Sequence, residues 1–142
     1  MVDFRRSMAP FTQITLTFFF GGTLLLAAPD ATAHRWTFRD FDGVLSVGLE
    51  GQRNFERGSS RFKAACASCH TLGTFGGGQA ADLTRRALTY TPEELLSHLL
   101  NPALHSPTPA RQINTFTQSE MLDLLAFVLS GADAQNSFFL NP

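Results

Sequence analysis

The 142-residue chain contains only two cysteines, Cys66 and Cys69. With no second Cys pair, thiols cannot supply the four ligands of a structural zinc site. Neither sign of charge is in excess: 11 Lys and Arg face 12 Asp and Glu, for a net charge of -1. That balance implies no nucleic-acid or acidic-substrate partner. Beyond residue 33 no segment resembles a transmembrane helix. Internal repeats and convincing strands are absent. So is the βαβ pattern that would surround a thioredoxin-like redox pair. The Gly-rich stretch from Thr71 to Ala81 lacks the Lys-Ser/Thr that would complete a phosphate-binding loop.

The two cysteines do have a histidine beside them. Cys66-Ala67-Ser68-Cys69-His70 reads C-x-x-C-H, the signature of a covalently attached c-type haem. Each thiol can form a thioether to a haem vinyl group. His70 can place an imidazole nitrogen on one axial face of the iron. The blander readings are a redox pair, half a zinc site or a local disulfide. The motif points to one covalent haem c, with Cys66, Cys69 and His70 holding it.

The N-terminus reads as a targeting segment. Arg5 and Arg6 precede an apolar core, Phe18 to Ala28, and Ala31-Thr32-Ala33 forms an A-x-A cleavage site. A retained anchor is the alternative, but the core is short for the roughly 20 residues of a full span. Pro29-Asp30 also interrupts it. Residues 1–33 are therefore expected to be a cleaved signal. The protein is expected in the periplasm or an equivalent lumen, where such haems are attached, and could be membrane-associated. Residues 34–142 would then make one small domain, and a buried haem would supply apolar surface that so short a chain lacks.

Residues 34–51 read as an irregular extension on the surface. A helix is expected over about 52–66, with Phe55, Gly58, Ser59, Phe62 and Ala65 at helical spacing. Gly58 costs about 1 kcal/mol against Ala in a helix, which suggests close packing there. Arg53, Arg57 and Arg61 recur on another face. Thr91-Pro92-Glu93-Glu94 starts a second helix, which Asn101-Pro102 stops. Residues 103–117 read as a loop. Ser119-Glu120 opens a last helix that Gly131 closes. Residues 132–142 form a tail.

These features resemble a class I c-type cytochrome over about Gly58 to Leu129. The family's first helix carries Gly-x-x-x-Phe before C-x-x-C-H, matched by Gly58 to Phe62. Its Gly-rich segment ends in a run matched by Ala80-Ala81-Asp82-Leu83-Thr84. Its middle helix ends in Asn/Asp-Pro, matched by Asn101-Pro102. Its last helix is matched by Glu120-Met-Leu-Asp-Leu-Leu-Ala-Phe-Val128. The resemblance implies an all-α fold of three to four helices around one haem, occupying residues 52–131. It also implies that Gly58 and Phe62 cross the last helix near Phe127.

Two departures stand out. Ala81 replaces a Pro whose carbonyl orients the proximal imidazole in the family. The family's axial Met is missing, and the aligned stretch is Arg111-Gln112-Ile113-Asn114. His105 lies in the loop where the family brings its distal ligand across the haem, so it is the candidate sixth ligand. Met121, His98, His34 and an open iron remain alternatives. Leu104-His105-Ser106-Pro107 also resembles the distal-ligand region of the low-potential bis-histidine cytochrome of photosystem II. That likeness is confined to these residues, and the role is not carried over.

The expected function is single-electron transfer between redox partners, at low potential, without a catalytic acid–base set. The alternatives are a five-coordinate gas-binding or sensing protein, or a haem subunit of a larger membrane-associated complex. Such a complex could grip the aromatic ends, Trp36-Thr37-Phe38 and Phe138-Phe139-Leu140. Arg53, Arg57 and Arg61 form a basic stripe, with Arg85-Arg86 beyond the Gly-rich loop; the first reading is an ordinary solvated helix face and the alternative a docking charge for a redox partner.

Overall fold

The packing frame is the crossing of two helices, and their small and aromatic residues decide its geometry. The computed structural model describes residues 34–101, 103, 104 and 112–140. In chain order the helices are α1 (Leu45–Glu50), α2 (Phe55–Ala65), α3 (Leu83–Arg86), α4 (Pro92–Leu100), α5 (Gln118–Leu129) and α6 (Ser137–Leu140). A 3-10 turn at Phe38–Phe41 precedes α1, and another at Ala87–Thr89 follows α3. The all-α class expected from the sequence is what the chain adopts.

Local chemistry starts each long helix. Asn54 caps α2 by accepting from the Arg57 N–H at 2.8 Å. Thr91 and Glu94 form a reciprocal capping box on α4, with Pro92 inside the first turn. Thr117 and Glu120 form another on α5. The sequence placed that start two residues later, at Ser119, because Ser119-Glu120 also has the composition of a cap.

Helix α2 crosses α5 at Gly58. A Cβ there would lie 2.5 Å from the Asp123 carbonyl oxygen and 2.8 Å from Phe127 Cβ. The Phe62 and Phe127 rings sit 5.6 Å apart, and Phe55 and Phe75 each approach Phe127 at 5.2 Å. Gly58→Ala gains about 1 kcal/mol of helix propensity. The methyl meets backbone that cannot rotate aside, and overpacking costs about 1–3 kcal/mol. We expect a net loss, read as a lower denaturant midpoint with an unchanged slope.

The structure corrects several expectations. Residues 34–51 lie on the surface as expected but are not irregular: they form the 3-10 turn and α1 and bury one stripe. Phe41, Leu45 and Leu49, spaced by four, are buried along one stripe. A Cβ at Gly48 would come within 2.7 Å of Leu122 Cδ1. The tail likewise folds back. The Arg53 N–H donates to the Phe138 carbonyl at 2.8 Å, and the Phe139 ring packs 5.2 Å from Phe55. Trp36 and Phe139 thus pack on their own domain, whereas Phe38 and Leu140 stay exposed. Residues 71–76 form a minimal antiparallel hairpin, β1 (Thr71–Leu72) with β2 (Phe75–Gly76).

The arginine stripe is not a bare basic face either. Arg57 pairs with Asp123, and Arg61 with Glu120. Arg53 Nη1 lies 3.7 Å from Asp123, whose carboxylate is buried and also accepts from the Asn54 N–H at 3.0 Å. Burial pushes the Glu120 carboxyl up. The Thr117 N–H and then Arg61 more than offset this, so the group lies below the usual carboxylate range. Among the described residues, no helix is long and apolar enough to cross a membrane.

Candidate haem site

Helix α2 ends at its C-cap, Cys66, and the chain turns tightly there. The N–H groups of Cys69 and His70 both donate to the Cys66 carbonyl, at 3.1 and 2.8 Å. This turn brings both thiols and the imidazole onto one cavity of about 190 Å³. Its walls are mostly apolar, with Phe62, Leu83, Leu95, Leu99, Ile113 and Val128. Tyr90 and His98 add the polar groups, with their rings 6.0 Å apart.

The Gly-rich segment folds back onto the motif. The Gly77 N–H donates to the Ala67 carbonyl and the Ala80 N–H to the Cys69 carbonyl, each at 2.8 Å. Gly76 has φ +103°, and a Cβ there would fall 1.8 Å from the His70 carbonyl oxygen. The sequence marks these glycines only as turn formers. The contact with His70 is made across the β1–β2 hairpin, six positions away, and the residue types alone do not signal it. Asp82 then caps α3 through Thr84, whose hydroxyl and N–H hold its carboxyl below the usual range.

His70 Nδ1 lies 2.9 Å from the Ala81 carbonyl oxygen. A carbonyl can only accept, so Nδ1 carries the hydrogen and Nε2 the lone pair that binds a metal. Ala81 therefore makes the backbone contact expected of the family's Pro.

Cys66 and Cys69 are free thiols, both half-buried. Burial, and then the neighbouring Cys69, push the Cys66 thiol up to about 12. A thiol that stays protonated is a weak nucleophile, which argues against an activated redox pair. Among the described residues, no cluster of three or more His, Cys, Asp or Glu side chains could hold a bare metal ion. Two thiols, one oriented imidazole and an apolar cradle fit a haem held by thioethers and one axial nitrogen.

The other candidate ligands separate cleanly. Met121 is fully buried in the core and does not line the cavity. His34 sits 3.4 Å from Asp40 on the N-terminal segment, also off the cavity. His98 does line it. His105 lies outside the described residues.

Over residues 53–128 the chain matches the family described as cytochrome C oxidase, cbb3-type, subunit III. Comparison with curated proteins and with solved structures returns no match.

Proposed function

Given that the chain belongs to the cbb3-type cytochrome c oxidase subunit III family, we propose that it is an exported monohaem electron carrier, with His70 as the proximal and His105 as the distal iron ligand. A cytochrome c domain implies covalently bound haem c and fits an electron carrier rather than an enzyme. The observation that carries the reading is the Ala81 carbonyl 2.9 Å from His70 Nδ1, on a cavity that both thiols line.

Bound haem supplies an iron that accepts and releases one electron. The chain's own residues do the rest. Cys66 and Cys69 tether the group at the end of α2. His70 presents Nε2 from a ring locked by the Ala81 carbonyl. Phe62, Leu95, Leu99 and Val128 exclude water from the buried side. A second nitrogen ligand stabilises the ferric state more than a Met thioether does, which sets the potential low. The segment before residue 34 supports export by its composition. The family description supports a partner in a membrane redox complex, with a donor and an acceptor on either side of this carrier.

A second reading has its own observation. His98 lines the cavity from α4 and could supply the sixth ligand instead. Absorption spectra of oxidised and reduced protein test both. We expect a low-spin spectrum without the weak far-red ferric band of a Met–iron bond. His105→Ala should give a five-coordinate or water-bound haem that takes up carbon monoxide quickly, and His98→Ala should not. The opposite pattern assigns His98. A five-coordinate wild type would favour gas binding over electron transfer.

A further inference from the structure

The N-terminal segment reaches the haem cavity's wall from outside. We propose that Trp36 is a positioning residue, which fastens residues 36–41 across the chain entering α5 and so holds Ile113 in the wall of the haem cavity. This rests on the haem reading above.

Three hydrogen bonds tie this segment to residues 114–118, close beside Ile113. The Trp36 indole N–H donates to the Phe116 carbonyl at 3.1 Å, and the Trp36 backbone N–H donates to Asn114 Oδ1 at 3.3 Å. Farther along, the Gln118 side-chain amide donates to the Asp40 carbonyl at 2.7 Å. The Phe116 N–H donates in turn to the Ile113 carbonyl at 3.1 Å, so Ile113 belongs to the fastened unit. Ile113 is buried and lines the cavity.

The segment is braced for this. The Thr37 N–H donates to the Asp40 carboxylate at 2.7 Å, which fixes the 3-10 turn. That bond also draws the Asp40 carboxyl below its usual range. The indole packs on Phe41, with ring centroids 5.3 Å apart, and Phe41 is buried. On its other side, Phe38 lines an open groove shared with Tyr90 and His98 of the cavity wall. The segment thus spans from the α4 side of the cavity to the chain that enters α5. A side chain needed only for burial would not aim its one N–H at the Phe116 carbonyl, on the same stretch whose Asn114 accepts from the Trp36 backbone N–H.

The test compares two variants of the haem-loaded protein. Trp36→Phe combined with Asn114→Ala keeps an aromatic ring beside Phe41 and removes the indole donor and the Asn acceptor. Phe139→Leu loosens the contact with Phe55 and serves as a stability control. Carbon monoxide binding to the ferrous protein should be faster in the double variant by up to about thirtyfold, the scale on which losing two neutral hydrogen bonds eases a local opening. Its reduction potential should fall as water reaches the cavity. Phe139→Leu should lower thermal stability and move neither readout. An unchanged rate and potential in the double variant, or an equal change in the control, overturns the proposal. Failure of the haem reading would look different, because wild type would then carry no covalent haem.

Discussion

Protein carrying Cys66→Ala and Cys69→Ala should be purified without covalent haem, whereas wild type should keep its haem absorbance through denaturation. The effect is all or none because these are the chain's only cysteines. A haem held by His70 alone would leave on acid extraction. One held by thioethers stays on the polypeptide. The consequence reaches the fold as well. Phe62, Leu95, Leu99, Ile113 and Val128 face a cavity that haem would cover. Without that surface buried, a domain of this size loses part of its apolar contact, at about 25 cal/mol per Å². The double variant should therefore also melt well below wild type. Acid extraction of haem from wild type would remove the assignment.

Gly76→Ala should have the second largest effect, and it should fall on the same site. A Cβ at Gly76 would sit 1.8 Å from the His70 carbonyl oxygen. The two atoms cannot coexist, so either the hairpin or the proximal turn must move. The positive φ adds backbone strain of about 1–3 kcal/mol. We expect a total loss above about 4 kcal/mol, in the range reserved for defects of this kind. Much less haem should be attached per mole of chain. Gly78→Ala is the control. It also has positive φ, but its Cβ would meet only the Thr71 hydroxyl at 3.2 Å. Equal losses in the two variants would mean that strain, and not the contact with His70, controls the site.

The readability of this chain divides by distance. C-x-x-C-H lies in five consecutive residues, and its chemistry is carried by their types. Helices α2, α4 and α5 show because apolar spacing and capping residues are local signals. In the extension Phe41, Leu45 and Leu49 recur every fourth residue, but Gly43, Gly48 and Gly51 dilute so short a pattern below a helical signal. The fate of the arginine stripe was not legible. Arg57 and Arg61 find Asp123 and Glu120 some sixty positions on, and only the fold joins them. Gly76 gives no warning of its contact with His70 although only six positions separate them, because the hairpin that makes it is two residues per strand and carries no strand pattern. Trp36 is the extreme case, with partners at Asn114 and Phe116.

The contact between α2 and the end of the domain carries a kinetic consequence. Helix α2 finds its partners in α5, in Phe138 and in Phe139, all far along the chain. Contacts of that separation must close a large loop before they repay it, so they form late in folding. During synthesis from the N-terminus, the segment bearing Cys66, Cys69 and His70 emerges well before α5 exists. For that interval α2 lacks its main partner, α5, and the thiols that end up half-buried are more open. If the chain is exported before α5 packs on α2, Cys66 and Cys69 would reach the compartment of haem attachment still accessible, and that packing would then narrow the access.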